Sequence, residues 1–204
     1  MNKILSSVVL FVTMFTSSLS WSNEAAREAV VGIVESFRTD IVADKDILSK
    51  DPVLLESRVD NILNKIVDFD DFSKKIMGKY YRRATPEQRT RFVTVTKDTL
   101  LKTYGSSLLE LDPDNIKVLP LGPQGKGKET RVDVDFQMEA GGLLNITFYM
   151  EQSEEGAWML SNIIINNINF GLTFRKQFSV MMQQNKNDIE LAITAWQKSL
   201  ARAS

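Results

Sequence analysis

The chain of 204 residues contains no cysteine and no histidine. Without cysteine there is no disulfide to form and no thiol to lipidate, so its stability must come from an apolar core. Without histidine, Ser-His-Asp hydrolysis, Cys-His proteolysis and the usual zinc sites drop out. An enzyme would have to work with carboxylate, lysine, tyrosine and serine. An excess of charge of one sign is also missing: 25 basic side chains face 26 acidic ones. That balance gives no footing for nucleic-acid binding. Long apolar runs are scarce, and the one present lies at the N-terminus.

That run reads as a secretory leader. Lys3 supplies a short positive region, ILSSVVLFVTMF is an apolar stretch too short to span a bilayer comfortably, and small residues follow. Ser18/Ser20 and Ser20/Ser22 both fit the small-x-small pattern before a cut. Residues 1–22 are read as a signal peptide and residues 23–204 as one domain, exported to the periplasm; a core helix or a retained anchor is the alternative. Losing Lys3 leaves 24 basic against 26 acidic side chains. The remaining length suffices for one domain with a sizeable core.

Helical spacing governs the first half. From Asn23 onward, Ala26, Val30, Val31, Val34, Phe37 and Ile41 recur on one face. Pro52 suits the first position of a second helix, whose stripe is Leu55, Val59, Ile62, Leu63 and Ile66. A third helix starts in VDFDDF with Asp70 or Asp71 as N-cap, and Phe72, Ile76, Met77 and Tyr80 share a face. Gly78 within this pattern costs about 1 kcal/mol relative to alanine, which points to a bend or a close backbone approach. TPEQ is a capping box: Thr85 caps, Pro86 takes the first position and Gln88 reaches back. The helix it opens sends Phe92, Val95, Thr99, Leu100 and Tyr104 inward.

After Leu111 the period changes. LDPDNIKVLPLGPQGKGKE reads as a turn, a short strand and a glycine-rich loop. In TRVDVDFQM, the residues Val132, Val134, Phe136 and Met138 alternate with Arg131, Asp133, Asp135 and Gln137, a half-buried antiparallel strand. The turn at Ala140-Gly141-Gly142 leads to LLNITFYME, with Leu144, Ile146, Phe148 and Met150 on one face. SEEGA then returns the chain to Trp158. Two helices follow the strands. The order makes the fold α+β: a twisted antiparallel sheet of about four strands, wrapped by about six helices on its apolar face.

Polar candidates each carry a structural alternative. Asp68, Asp70 and Asp71 could do acid–base or metal chemistry, yet a helix N-terminus draws aspartate for capping and dipole reasons. Asp133 and Asp135 sit on the polar strand face, where solvation explains them. GPQGKGK lacks phosphate-loop spacing and the Ser or Thr that should follow the lysine. Between Lys74 and Arg91, Lys74, Lys75, Lys79, Arg82, Arg83, Arg89 and Arg91 meet one acid, Glu87. They form a solvated surface, or a docking patch for an acidic partner or an anionic membrane, although they do not fall on one helix face.

Apolar bulk is the more informative feature. Ile163, Ile164 and Ile165 make the last long strand apolar on both faces, and the helix after it carries Phe170, Phe174, Phe178 and Met181. This stripe is expected to face a sheet that already offers Phe136, Phe148 and Trp158, with Tyr80 and Tyr104 on earlier helices. Such a concentration is a core, or a core that encloses a void.

Two stretches carry a resemblance to a known family: DFDDFSKKIMGKYYRRATPEQRTRF, continued by Leu100 and Tyr104, and WMLSNIIINNINFGLTFRKQF, residues 158–178. In these, and in its leader and element order, the chain resembles the MlaC-type periplasmic phospholipid-binding proteins, also called toluene-tolerance proteins. Asn162 stands where that family commonly has Asp, Asn167 where it has Gly, and Asn169 where it has Ser. The second exchange is physically mild, because asparagine tolerates left-handed backbone better than other side chains.

The resemblance implies a cone-like fold with an apolar interior pocket, a diacyl phospholipid as cargo, and neither covalent chemistry, cofactor nor metal. It implies two partners, an inner-membrane transporter complex with an MCE domain and an outer-membrane lipoprotein–porin complex. Candidate lining residues are Phe72, Met77, Tyr80, Phe92, Leu100, Tyr104, Val134, Phe136, Ile146, Phe148, Trp158, Ile163, Ile165, Ile168, Phe170, Phe174 and Phe178. Candidate headgroup or docking contacts are Lys79, Arg82, Arg83 and Arg175, with Arg175 alternatively paired to a carboxylate of the fold. A cone-shaped enzyme using a pocket Asp or Tyr, and an interaction domain with a filled core, are the competing readings.

Overall fold

The computed structural model describes residues 22–125 and 127–200; nearly all of the expected leader lies outside them. Helix α1 runs through residues 22–37 and passes into a π-helical turn at Arg38–Val42. It buries Ala26, Val30, Val34, Phe37 and Ile41, as the spacing predicts, and leaves Val31 partly exposed. A four-residue helix, α2 (Lys45–Leu48), precedes α3 (Pro52–Ile66). The Asp51 side chain accepts from the Leu54 N–H and Pro52 fills the first position, so the start of α3 is fixed twice.

Asp68 caps α4 (Phe69–Met77), not Asp70 or Asp71: its carboxylate accepts from the Asp71 N–H at 2.9 Å. Each neighbouring aspartate could serve by type, but the cap must precede the first turn. Asp71 instead pairs with Lys75 at 2.8 Å. The helix stops at Gly78, whose φ of +54° and ψ of −124° suit glycine alone. A 3-10 turn, Gly78–Arg83, leads to α5 (Pro86–Tyr104), and both bonds of the expected capping box are formed between Thr85 and Gln88. A second 3-10 turn, Ser106–Glu110, delivers the chain to the sheet.

The strands β1 (Leu111–Val118), β2 (Thr130–Met138), β3 (Leu143–Gln152), β4 (Trp158–Ile165) and β5 (Ile168–Asn169) form an antiparallel meander in chain order. The fifth, two-residue strand adds to the expected four. Val132 lies opposite Phe148 and Val134 opposite Ile146. Phe148 in turn faces Ile163, and Ile146 faces Ile165. Period-two alternation thus gathers these side chains on one face. Behind them, Asp133 accepts from Thr147 Oγ1 at 2.5 Å and Asp135 accepts from Asn145 Nδ2 at 2.8 Å.

Two helices complete the chain, α6 (Phe170–Gln184) and α7 (Ile189–Leu200). Asn166 and Asn167 turn β4 into β5 at positive φ. Asn169 then caps α6, accepting from the Leu172 N–H at 2.9 Å, while Asn162 accepts from the Gly171 N–H at 3.2 Å.

The apolar side chains fall into two separate clusters. One lies on the sheet face under α1, α2 and α3, with Val132, Val134, Phe136, Ile146, Phe148 and Met150 buried. The other belongs to α4–α7 and centres on Phe92, Phe174, Phe178 and Trp196. The phenylalanine stripe of α6 therefore packs on helices and not, as its spacing beside the sheet suggested, on Phe136 and Phe148. Phe174 and Phe178 meet the Trp196 ring edge-on at 5.5 and 6.2 Å, and Phe92 lies parallel to it at 6.0 Å. The α7 pattern Ile189, Ala192, Ile193, Trp196 supplies the facing surface.

Candidate functional site

The two clusters share α5. Phe92 and Val95 belong to the helical one, whereas Leu101, near its end, belongs to the one on the sheet. The helix is thus apolar on two sides. This explains why Leu101 is buried although the spacing singled out Leu100, which is partly exposed. Strand β4 touches both α3 and α6, so it too stands where the clusters adjoin.

At that boundary the burial pattern breaks. Away from the turn that joins them, the face of β2 and β3 toward the helices is closed: Val132, Val134, Ile146, Phe148 and Met150 are all buried. The same face of β4 is not. Ile163 and Ile165, hydrogen-bonded neighbours of those buried residues, stay partly exposed, as do Leu160 and Trp158. Leu63 of α3 and Leu144 of β3 share this state on the sheet side; Phe72, Leu100 and Phe170 share it on the helical side. Partly buried apolar side chains thus occur in both clusters, and β4, which touches α3 and α6, marks the seam between them. Tyr104 and Phe170 stand edge to face across it with centroids 6.5 Å apart.

The expected lining residues divide accordingly. Val134, Phe136, Ile146, Phe148, Trp158, Ile163 and Ile165 lie in or against the sheet cluster. Phe72, Met77, Tyr80, Phe92, Leu100, Phe170, Phe174 and Phe178 lie in or against the helical one. Two of the expected residues are more exposed than the rest: Tyr104 is 38 % exposed at the end of α5, and Ile168 is 54 % exposed in β5. A separate depression of about 340 Å³, lined by Lys45, Leu109, Glu110, Met138, Glu139 and Ala140, holds none of the expected residues.

The polar candidates are placed in structural roles or at the surface. Asp68 caps, Asp71 is ion-paired, and Asp133 and Asp135 bond to Thr147 and Asn145 across the sheet. Lys79, Arg82, Arg83 and Arg175 are exposed. Arg175 does not take up an ion pair with a carboxylate among the described residues; its guanidinium lies against Gly78. The two segments that meet at this approach lie in residues 72–86 and 156–187, which contain no Asp or Glu. Trp196, the hub of the helical cluster, escaped the sequence reading, although the i, i+3, i+4, i+7 pattern of α7 marks it.

The fold and seam define a class: an α+β protein in which a half-covered apolar boundary separates a sheet from a helical layer. The chain belongs to the MlaC protein family, whose model matches residues 33–198. It is 33 % identical over 186 residues to toluene tolerance protein ttg2D of Pseudomonas putida, covering 91 % of this chain and 86 % of the relative. It is 22 % identical over 167 residues to the intermembrane phospholipid transport system binding protein MlaC of Haemophilus influenzae, covering 80 % and 77 %. Among solved structures, a phospholipid-binding protein from Ralstonia solanacearum, in complex with a phospholipid, shares the fold. Its TM-score is 0.76 at 19 % identity, covering 87 % of this chain and 98 % of that one.

Proposed function

We propose that this chain is a periplasmic phospholipid carrier that holds the acyl chains of a diacyl phospholipid in the seam between the sheet and the helical layer. The observation that carries the reading is the break in burial at β4, where Ile163 and Ile165 stay half-covered beside the buried Ile146 and Phe148. Family membership and the phospholipid bound by the Ralstonia structure support it. The lining is drawn from both clusters: Ile163, Ile165 and Trp158 on one side, Leu100 and Phe170 on the other.

The energetics suit transfer. Burying about 30 methylenes is worth about 24 kcal/mol relative to water, but a bilayer offers nearly the same. Exchange is then close to balanced, and direction comes from partners. In this reading the partners are an inner-membrane MCE-domain transporter complex and an outer-membrane lipoprotein–porin complex, and the chain itself catalyses no covalent step.

Native mass spectrometry of the mature protein, purified from periplasm without detergent, tests the reading. A mass excess that resolves into stoichiometric phospholipid is the expected result. A bare polypeptide that also takes no lipid from vesicles would overturn it in favour of a filled core.

A further inference from the structure

We infer that the first two turns of α6 and the 3-10 turn at Gly78–Arg83 form one docking surface for an anionic phospholipid bilayer. The two segments adjoin at Gly78, where a Cβ would lie 3.0 Å from Arg175 Nε. On α6, Leu172, Arg175 and Lys176 have i, i+3, i+4 spacing and share the outer face. On the turn, Lys79, Arg82 and Arg83 are exposed. None of these five cations makes an ion pair among the described residues. Of the other cations of the basic stretch, Lys75 pairs with Asp71 and Glu151, Arg91 pairs with Glu190, and Arg89 lies on the Tyr81 ring as Lys79 does on the Tyr80 ring; Lys74 is exposed on α4. The chain has 26 acidic residues, yet residues 72–86 and 156–187 have none. The charge patch that the basic stretch lacks as a helix face is completed across the fold by α6.

Apolar exposure decides between an acidic protein and a membrane. Leu172, one turn from Arg175 and Lys176, is 50 % exposed, and Ile168, just before α6, is 54 % exposed. A bilayer interface takes both kinds of group at once, the apolar side chains at the acyl boundary and the cations on headgroup phosphates. The surface also borders Phe170, at the end of the seam, so docking would bring the seam to the lipid. Its purpose rests on the carrier reading; its charge and exposure do not.

The test is flotation of the full mature chain with vesicles of phosphatidylglycerol and phosphatidylcholine, and with vesicles of phosphatidylcholine alone. Flotation is expected with the anionic vesicles and is lost at high salt. At low salt, Arg82→Glu/Arg83→Glu should weaken it by on the order of tenfold or more, and Leu172→Ser should weaken it as well. Native mass spectrometry should show bound lipid unchanged in Leu172→Ser. Wild-type protein that stays unbound, that floats equally with both vesicles, or that matches the double variant would overturn the proposal. So would a double variant defective in lipid delivery to native membranes when the wild type ignores vesicles, since the cations would then serve an acidic protein. An empty seam with intact flotation sinks the carrier reading alone; a loaded seam without flotation sinks the docking surface alone.

Discussion

The indole N–H of Trp196 donates to Thr96 Oγ1 at 2.9 Å, and both residues are fully buried. Trp196 is also the ring that Phe92, Phe174 and Phe178 surround. This buried hydrogen bond ties the last helix to α5, alongside the Arg91 contacts with Glu190 and Thr194. Thr96→Val keeps the shape and removes the acceptor, leaving a buried donor unpaired at a cost of about 1–3 kcal/mol. Urea denaturation should show that loss. A variant as stable as wild type would mean that water reaches the indole.

Gly78→Ala should destabilise by about 1–3 kcal/mol through its backbone angles. The contact with Arg175 is the smaller part, because the far end of an arginine can move. Gly78→Ala/Arg175→Ala should accordingly recover little of the loss, which thermal melting of the two variants would show. Full recovery would make the guanidinium, not φ, the constraint.

Glu87 is held below the ordinary carboxylate value by its own backbone N–H and then by the Thr85 hydroxyl. A folded pKa below the unfolded one gives stability that is present above the unfolded value and lost as pH falls through the folded value. Thr85→Ala removes one of the two causes, so an NMR titration of Glu87 should move upward. The lost cap itself costs about 1 kcal/mol. An unmoved titration would assign the shift to the backbone alone.

Filling the seam should separate cargo from stability. Ile163→Trp adds bulk where the side chain is only half covered, so phospholipid per chain should fall while the urea midpoint shifts little. Phe178→Ala, in the closed helical cluster, should instead cost about 3–5 kcal/mol. Lipid analysis beside denaturation of each variant checks both. Undiminished lipid in Ile163→Trp would remove that strand from the lining.

Local chemistry was legible where one residue type has one job. The Thr85–Gln88 box, Pro52 at a helix start, the alternation of β2, and Gly78 as a backbone exception all follow from the sequence. Partner choice was not. The α6 stripe is equally apolar whether it meets a sheet or a helix, and the facing surface came from α7, far along the chain. Asp68 was passed over because three aspartates compete for one cap. Tyr104 and Ile168 fit an apolar pattern but fall at element ends, where periodicity no longer reports burial. For the candidate site, the sequence showed which side chains were in excess; only the register of β4 against β3 showed where they stay half-covered.

The two clusters, one on the sheet and one among the helices, have a thermodynamic consequence. Cores that share no buried residue can melt as separate cooperative units. A cargo that touches both would weld them, and mass action would raise the melting point of whichever unit is weaker. Calorimetry of a delipidated chain should then resolve two transitions, and the loaded chain one. Occupancy would be readable as cooperativity, before any lipid is weighed.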